Sequence, residues 1–459
     1  MLYVDEAGGR MARLVVRNVS VLVVPEEGEC RVDEAQDILV EDDRIVSVAP
    51  TGTHAVQTTD PAAPSEVLDG TGLLAVPGLV NSHTHSPMVM MRGAAEDLAI
   101  EDWFNRRIWP MEVNLTPERV RVGARLACAE MLLAGVTTFA DHYFHADQIA
   151  EAAVESGIRA DLAPTFFSSA GEQALGAAFD TTLELAHRHP RITASLGPHA
   201  TYTVTDQDLR RTADFARAEG LRIHVHAAET DDQTQASLDK HGVTPIQVLE
   251  RTGVLDAGAL VAHGCGIRAD DLPILERYAG TTVASCPKVY LKLAMGEVTP
   301  IKALRAAGVN VGIGTDGAAV HNTLDVWEAI RMVALTQKQR EHDAEWMTLS
   351  DTLRLATRGS AAAAGLADHI GVLEPGRQAD IVLVDLSAPH NQPLHDPRAA
   401  LVYSVRASDV VTVLVAGQIV VRDRRLTTMD LAGVLADARS LAHTLVDLSA
   451  GGAVQHYAP

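Results

Sequence analysis

The pattern that most restricts this chain is an apolar run followed by a helix-forming run, repeated eight times between residues 73 and 367. The apolar runs, 73–82, 136–142, 159–167, 192–198, 222–228, 259–265, 281–286 and 310–315, read as buried strands. Between them, 117–134, 147–156, 206–219, 245–252, 270–278, 300–307 and 323–338 have helical composition. Eight strand–helix units predict a closed α/β (β/α)8 TIM-like barrel, with its chemistry where the strands end.

The flanks have a different rhythm. After a loose leader (1–11), residues 13–48 alternate β-rich runs with polar turns, including an Asp42-Asp43 turn, and predict hairpin-like antiparallel sheet. Residues 51–68 are Thr-, Pro- and Ala-rich and read as turns. β-rich character returns at 379–385 and 410–422. The two chain ends are therefore expected to build one small β-sandwich domain from 1–72 and 368–425. It would flank a barrel over 73–367, with a C-terminal helix and tail over 426–459.

A chain of 459 residues suits a large domain plus a smaller one. Its 38 Lys+Arg against 60 Asp+Glu give a net charge of −22, which argues against nucleic acid and anionic membranes as partners. Cys30, Cys128, Cys265 and Cys286 are scattered, as buried thiols in a reducing compartment would be. With no long apolar run and no signal-peptide pattern, the cytoplasm is the expected location. An acidic barrel of this kind is expected to be a homo-oligomer acting on a small molecule.

The polar residues can be collected at the strand ends. His83 and His85, two apart, share one face of the first strand. The second strand ends in Asp141 and His142, the fourth in His199, the sixth in His263 and the eighth in Asp316; the fifth carries His224, His226 and Glu229. Three imidazoles and a carboxylate suit Zn²⁺, one per chain, or Fe²⁺. His224 is in register with His226 and competes for the ligand role. His226, nearer the strand end, is preferred, leaving His224 for packing or support.

Two other motifs are weighed against this reading. Gly312-Ile-Gly-Thr-Asp-Gly317 matches GxGxxG after a strand. A dinucleotide site would need a helix starting there, however, and 318–322 reads as a loop; Asp316 would also repel a pyrophosphate. His226-Ala-Ala-Glu229 has the wrong spacing for a cytidine-deaminase zinc motif, and Cys286-Pro287 lacks the second cysteine that motif requires.

Pro77-Gly-Leu-Val-Asn-Ser-His-Thr-His85, Arg92-Gly93, Trp109-Pro-Met-Glu112, Gly197-Pro-His199, His226-Ala-Ala-Glu229, Ala262-His-Gly264 and Gly314-Thr-Asp-Gly317 occur in one order. Together they resemble the amidohydrolase superfamily over about residues 13–425. The closest likeness is to its 5-methylthioadenosine/S-adenosylhomocysteine deaminases, with triazine hydrolases as relatives.

That resemblance implies one metal held by His83, His85, His226 and Asp316. It implies Glu229 as catalytic carboxylate, His263 beside the activated water, and substrate contacts at Glu112 (to a ribose-type diol), Trp109 and His199. Two-metal members usually carry a modified lysine at the end of strand four; 191–199 contains no lysine, so one metal is expected. In chemical terms a divalent ion lowers the pKa of its water to about 7. Asp316 can take the water's proton, Glu229 can protonate a ring nitrogen, and His263 can stabilise the developing oxygen charge.

The chain departs from the resemblance where members acting on S-adenosylhomocysteine carry arginines. Pro164 stands near the first such position, and 165–182 contains no arginine. Lys288-Val289-Tyr290 and Val320-His321 replace small polar residues, and the resemblance implies that Val289, Tyr290 and Val320 make the pocket wall more apolar and bulkier. The expected function is hydrolytic deamination of an adenosine-like nucleoside or base, best with a small or apolar 5′ group. The alternatives are a triazine-type hydrolase removing chloride or alkylamine, or a deaminase of guanine- or pterin-like bases. A non-catalytic scaffold on this fold would be expected to lose metal ligands, and none is missing here. His142 and His321 receive no role.

Overall fold

A computed structural model gives the fold, described here for residues 13–53 and 66–458. The leader and most of the 51–68 stretch lie outside these residues. Eight strands form the barrel: β1 (Leu79–Thr84), β2 (Val136–Tyr143), β3 (Arg159–Phe166), β4 (Ile192–Pro198), β5 (Arg222–Ala227), β6 (Ala259–His263), β7 (Thr282–Ser285) and β8 (Asn310–Ile313). Each pairs in parallel with the next. Among the described residues no ladder joins β8 to β1. The ring closes through the Thr315 and Asp316 amides, which donate to the His83 carbonyl at 3.2 and 2.9 Å. Asn81 reinforces the seam, donating to Thr315 Oγ1 at 2.8 Å and accepting from the Thr315 amide at 3.0 Å. The expected (β/α)8 barrel is the fold the chain adopts.

The first apolar run, expected as one strand over 73–82, divides. Leu73–Pro77 pairs with Ile381–Asp385 and Arg13–Val23 in the second sheet, and only Leu79–Thr84 enters the barrel. Gly78 makes the crossing: a Cβ there would stand 2.2 Å from Thr137 Oγ1, so only glycine lets the chain pass so close to β2.

That second sheet has nine strands drawn from both chain ends. It is mixed rather than antiparallel throughout, because Arg13–Val23 pairs in parallel with Glu66–Asp69 and Leu73–Pro77. Glu66–Asp69 corrects the turn reading of that stretch. Val16, Val21 and Ile38 from the N-terminal strands share an apolar core with Ile381, Leu383 and Leu414. Arg159 of β3 ties this sheet to the barrel through buried hydrogen bonds to Asp380 and Gln378.

Two barrel helices escape the helical-composition reading. Glu172–Ala186 carries Gly176 and a Thr pair, and Asp231–His241 is polar along its length, burying only Gln233 and Thr234. Asp231–His241 shows no apolar stripe, whereas Glu172–Ala186 buries Leu175, Ala178 and Leu185 on one face. The stretch after Asp316 is a single helical turn, Ala318–His321, rather than the expected loop. Gly312 and Gly314 nevertheless serve the barrel seam: a Cβ at Gly312 would meet Ser82 Oγ at 2.4 Å, and one at Gly314 the His83 backbone at 2.9 Å.

Beyond the second sheet, helix Leu431–Leu445 packs on Pro117–Leu133, and the chain then turns back along 100–115. Asn114 Nδ2 donates to the Leu445 and Asp447 carbonyls at 3.0 and 2.6 Å. Asn105 Nδ2 donates to the Tyr457 carbonyl at 3.2 Å, and Asn105 Oδ1 accepts from the Tyr457 amide at 2.7 Å. The four cysteines are free and buried. Among the described residues no helix is long and apolar enough to cross a membrane.

Candidate active site

The ends of β1, β5, β6 and β8 converge. One potential ligand atom from each of His83, His85 and His226 lies within 4.8 Å of the other two, and the same holds for His83, His263 and Asp316. Asp316 Oδ1 is 3.2 Å from His85 Nε2 and 3.8 Å from His83 Nε2, and its Oδ2 is 4.0 Å from His263 Nε2. Asp316 and His263 both hold left-handed backbone (φ 61° and 77°), which costs a non-glycine residue about 1–3 kcal/mol. Hydrogen bonds hold both carbonyls. Thr84 Oγ1 donates to that of Asp316 at 3.0 Å, and Thr299 Oγ1 to that of His263 at 2.8 Å.

The imidazoles of His83, His85 and His226 are each aimed by the second nitrogen. His85 Nδ1 lies 2.5 Å from the His142 carbonyl, and His226 Nδ1 lies 2.8 Å from that of His199. His83 Nδ1 lies 2.9 Å from His224 Nε2. When Nδ1–H donates outward, Nε2 keeps the lone pair that a metal requires. His83 Nε2 is buried with no hydrogen-bond partner, so a cation between these rings would satisfy it. Burial and the neighbouring imidazoles hold His83 and His226 well below the ordinary histidine range. Burial acts the same way on His85, but Asp316 outweighs it and lifts His85 to about 9. The donor set fits a divalent metal.

The remaining sequence candidates line or back one pocket beside the histidines. Glu229 is buried, and burial raises its pKa. Its Oε2 accepts from Gln233 Nε2 at 2.7 Å and Tyr202 Oη at 3.4 Å. Glu112 accepts from Tyr143 Oη at 2.7 Å, and burial pushes its pKa up to about 7. Trp109 and His199 line the same pocket. His199, its Nδ1 2.9 Å from Thr203 Oγ1, is held neutral at about 3 by burial.

His142 also lines the pocket, with Nδ1 2.9 Å from Thr165 Oγ1. His224 lies behind the cluster on His83. Asp141 accepts from Ser86 N at 3.0 Å and from Ser86 Oγ, pinning the turn after β1. Buried His321 sits beside Thr323, 3.3 Å from its Nδ1 to Thr323 Oγ1, outside the pocket lining.

The apolar wall differs in one respect from the resemblance. Val289 and Val320 line the pocket, but Tyr290 does not; its hydroxyl accepts from the Cys286 amide at 2.6 Å behind the wall. Among the described residues no lysine or arginine lines the pocket.

Sequence reasoning missed Tyr143, Tyr202, Gln233 and Tyr457. Gln233 had a usable signal. Thr230 caps the helix that begins at Asp231, accepting from the Gln233 amide, and this places Gln233 one turn beyond Glu229. Tyr457 had none, because it arrives through a tail with no patterned contact to the barrel.

The model of the amidohydrolase family matches residues 74–420. The chain is 41% identical over 439 residues to the 5-methylthioadenosine/S-adenosylhomocysteine deaminase of Desulforudis audaxviator, covering 95% of this chain and 99% of that one. It is 35% identical over 440 residues to the 5′-deoxyadenosine deaminase of Methanothermobacter thermautotrophicus, covering 93% and 99%. Among solved structures, an adenosine deaminase from Xanthomonas campestris with bound zinc superposes with a TM-score of 0.87 at 33% identity, covering 95% and 98%. The zinc complex of an atrazine chlorohydrolase from Arthrobacter aurescens gives 0.83 at 26%, covering 94% and 100%.

Proposed function

This chain belongs to the amidohydrolase family, and we propose that it is a metal-dependent hydrolytic deaminase of an adenosine-like nucleoside, releasing ammonia. The observation that carries the reading is one pocket lined by His85, His226 and Asp316, which cluster with the buried His83, and by Glu229 and Glu112. Relatives named as adenosine-compound deaminases over nearly the whole chain support the substrate class. Zinc is the proposed metal, supported by the zinc in two structures of the same fold. The four free cysteines fit a reducing cytoplasm.

Bound among the three histidines and Asp316, the cation supplies the Lewis acidity that makes water nucleophilic at neutral pH. The chain's own residues then divide the proton work. Asp316 accepts the proton of the attacking water and passes it to the amine, so that the C–N bond breaks and ammonia leaves, while the proton of the new hydroxyl group returns to Glu229 as the ring carbonyl forms. Glu229, kept from ready ionisation by burial, delivers a proton to the purine ring nitrogen next to the carbon that bears the amine. With Oε2 engaged by Gln233 and Tyr202, Oε1 is the atom left for that contact. His263 stabilises charge on the entering oxygen. Glu112, as carboxylate, accepts from the ribose diol, while Trp109 and His199 pack the ring system and exclude water.

The test is ammonia release by zinc-loaded protein from 5′-deoxyadenosine, 5′-methylthioadenosine and adenosine, run beside free aminopurines, pterins and chlorinated or alkylamino triazines. Turnover of the nucleosides supports the reading. Chloride or alkylamine release from triazines, with the nucleosides untouched, would replace it with the triazine-hydrolase reading.

A further inference from the structure

The C-terminal tail reaches the pocket from outside the barrel. Tyr457 is 4% exposed. Its ring stacks on Phe104 with centroids 5.1 Å apart and planes 11° apart, and meets Tyr202 edge-on at 5.5 Å. Phe104 and Tyr202 both line the pocket. Asn105 clamps both backbone groups of Tyr457, and the Val454 amide donates to the Trp109 carbonyl at 3.4 Å. This is a defined docking of the tail on the segment that carries Trp109 and Glu112.

At the end of this docking is a relay of three polar groups. The Gln233 side-chain NH₂ has two hydrogens. One goes to Glu229 Oε2 at 2.7 Å and the other to Tyr457 Oη at 3.0 Å. Gln233 Oε1 in turn accepts from the Glu229 backbone amide at 3.2 Å. All three side chains are buried, so each bond restricts the rotamer of the next. Without the tyrosine oxygen, one Gln233 hydrogen would be left unpaired in a buried site. The amide would then rotate or take up water, and Glu229 would lose its fixed orientation.

We propose that Tyr457 is a positioning residue for Glu229: through the Gln233 amide, the C-terminal tail fixes the carboxylate that meets the substrate ring. The proposal rests on the role given to Glu229 above. It makes the segment around Tyr457 part of the working site.

Tyr457→Phe keeps the stacking and removes only the hydroxyl, so the tail stays docked. In zinc-loaded protein, kcat for 5′-deoxyadenosine should fall on the order of tenfold, with KM and metal content close to wild type. In a Glu229→Gln background the same substitution should have no further effect on kcat, because the group it positions is gone. A Tyr457→Phe enzyme with wild-type kcat would overturn the proposal. So would losses that multiply in the double variant, since these would mark a general packing effect.

Hydrogen exchange keeps the proposal testable apart from the deaminase reading. Removing residues 454–459 should speed exchange of the Glu229 amide, which is bound to Gln233, whether or not any nucleoside is turned over. Unchanged exchange there would overturn the coupling. Absence of ammonia release from the wild-type protein, with exchange altered as expected, would overturn only the deaminase reading.

Discussion

Tyr143 donates its hydroxyl hydrogen to Glu112 Oε1 at 2.7 Å inside the pocket, so the carboxyl that faces the proposed ribose site has one oxygen engaged and one free. Burial raises the Glu112 pKa from 4.5 to about 7, while the Tyr143 hydrogen bond and the His85 charge oppose the shift. As a carboxylate Glu112 can accept from a diol; protonated, it loses much of that capacity. Substrate binding should therefore be complete above this pKa and weaken as pH falls through it. The measurement is KM against pH for 5′-deoxyadenosine and for its 2′,3′-dideoxy counterpart. Only the diol substrate should show the rise in KM at low pH, and Tyr143→Phe should move that rise to higher pH. A cation in the neighbouring cluster would displace the rise to lower pH for both enzymes without changing their order. Identical profiles for the two substrates would separate Glu112 from the ribose.

The histidine cluster distinguishes a ligand from its support within one strand. His226→Ala should abolish tight metal binding by removing one of the four proposed donors. His224→Ala removes the partner of His83 Nδ1 and should weaken affinity by roughly 10–100-fold while leaving a site that fills at saturating metal. Elemental analysis of chelator-free wild-type protein should give close to one equivalent per chain. Metal retained by His226→Ala and lost by His224→Ala would reverse the assignment of the two.

Glu229→Gln preserves shape and can still bond to Gln233 but cannot carry the proton. Turnover should fall by about 10²–10⁴-fold, the usual contribution of a placed general acid–base group. Metal content and thermal midpoint should stay near wild type. Retained turnover would move the proton role to another group.

Substrate choice follows from what lines the pocket. Phe104, Ile108, Val289, Leu293 and Val320 contribute apolar wall, and among the described residues no lysine or arginine lines the pocket to pair with an amino-acid carboxylate. An unpaired buried carboxylate is costly, and even ~1.4 kcal/mol would give tenfold discrimination. 5′-Deoxyadenosine and 5′-methylthioadenosine should therefore exceed S-adenosylhomocysteine in kcat/KM by roughly tenfold or more. Equal efficiency would mean that the amino-acid end is held by groups beyond this pocket.

Most of the barrel was legible because its strands are buried on both faces and read as apolar runs, and because strand ends put chemistry at predictable offsets. His83 and His85 can be paired from a period of two alone. The division of 73–82 at Gly78 was not legible, since an apolar run looks the same whether one sheet or two receives it. The helix Asp231–His241 was missed because its packing depends on Gln233 and Thr234 rather than an apolar stripe. Tyr290 was misplaced onto the pocket wall because spacing after β7 does not tell which way a one-turn helix rotates its residues. Tyr457 depends on a docking that joins residues more than 220 positions apart, for which local pattern carries no signal.

The central claim, that water replaces the amine of an adenosine-like ring, is tested most directly in ¹⁸O-labelled water with zinc-loaded protein and 5′-deoxyadenosine. Mass spectrometry of the product, read beside the ammonia released, should show one ¹⁸O atom in the purine ring system for each ammonia. An unlabelled product, a purine returned with its amine intact, or no turnover of any adenosine compound would contradict it.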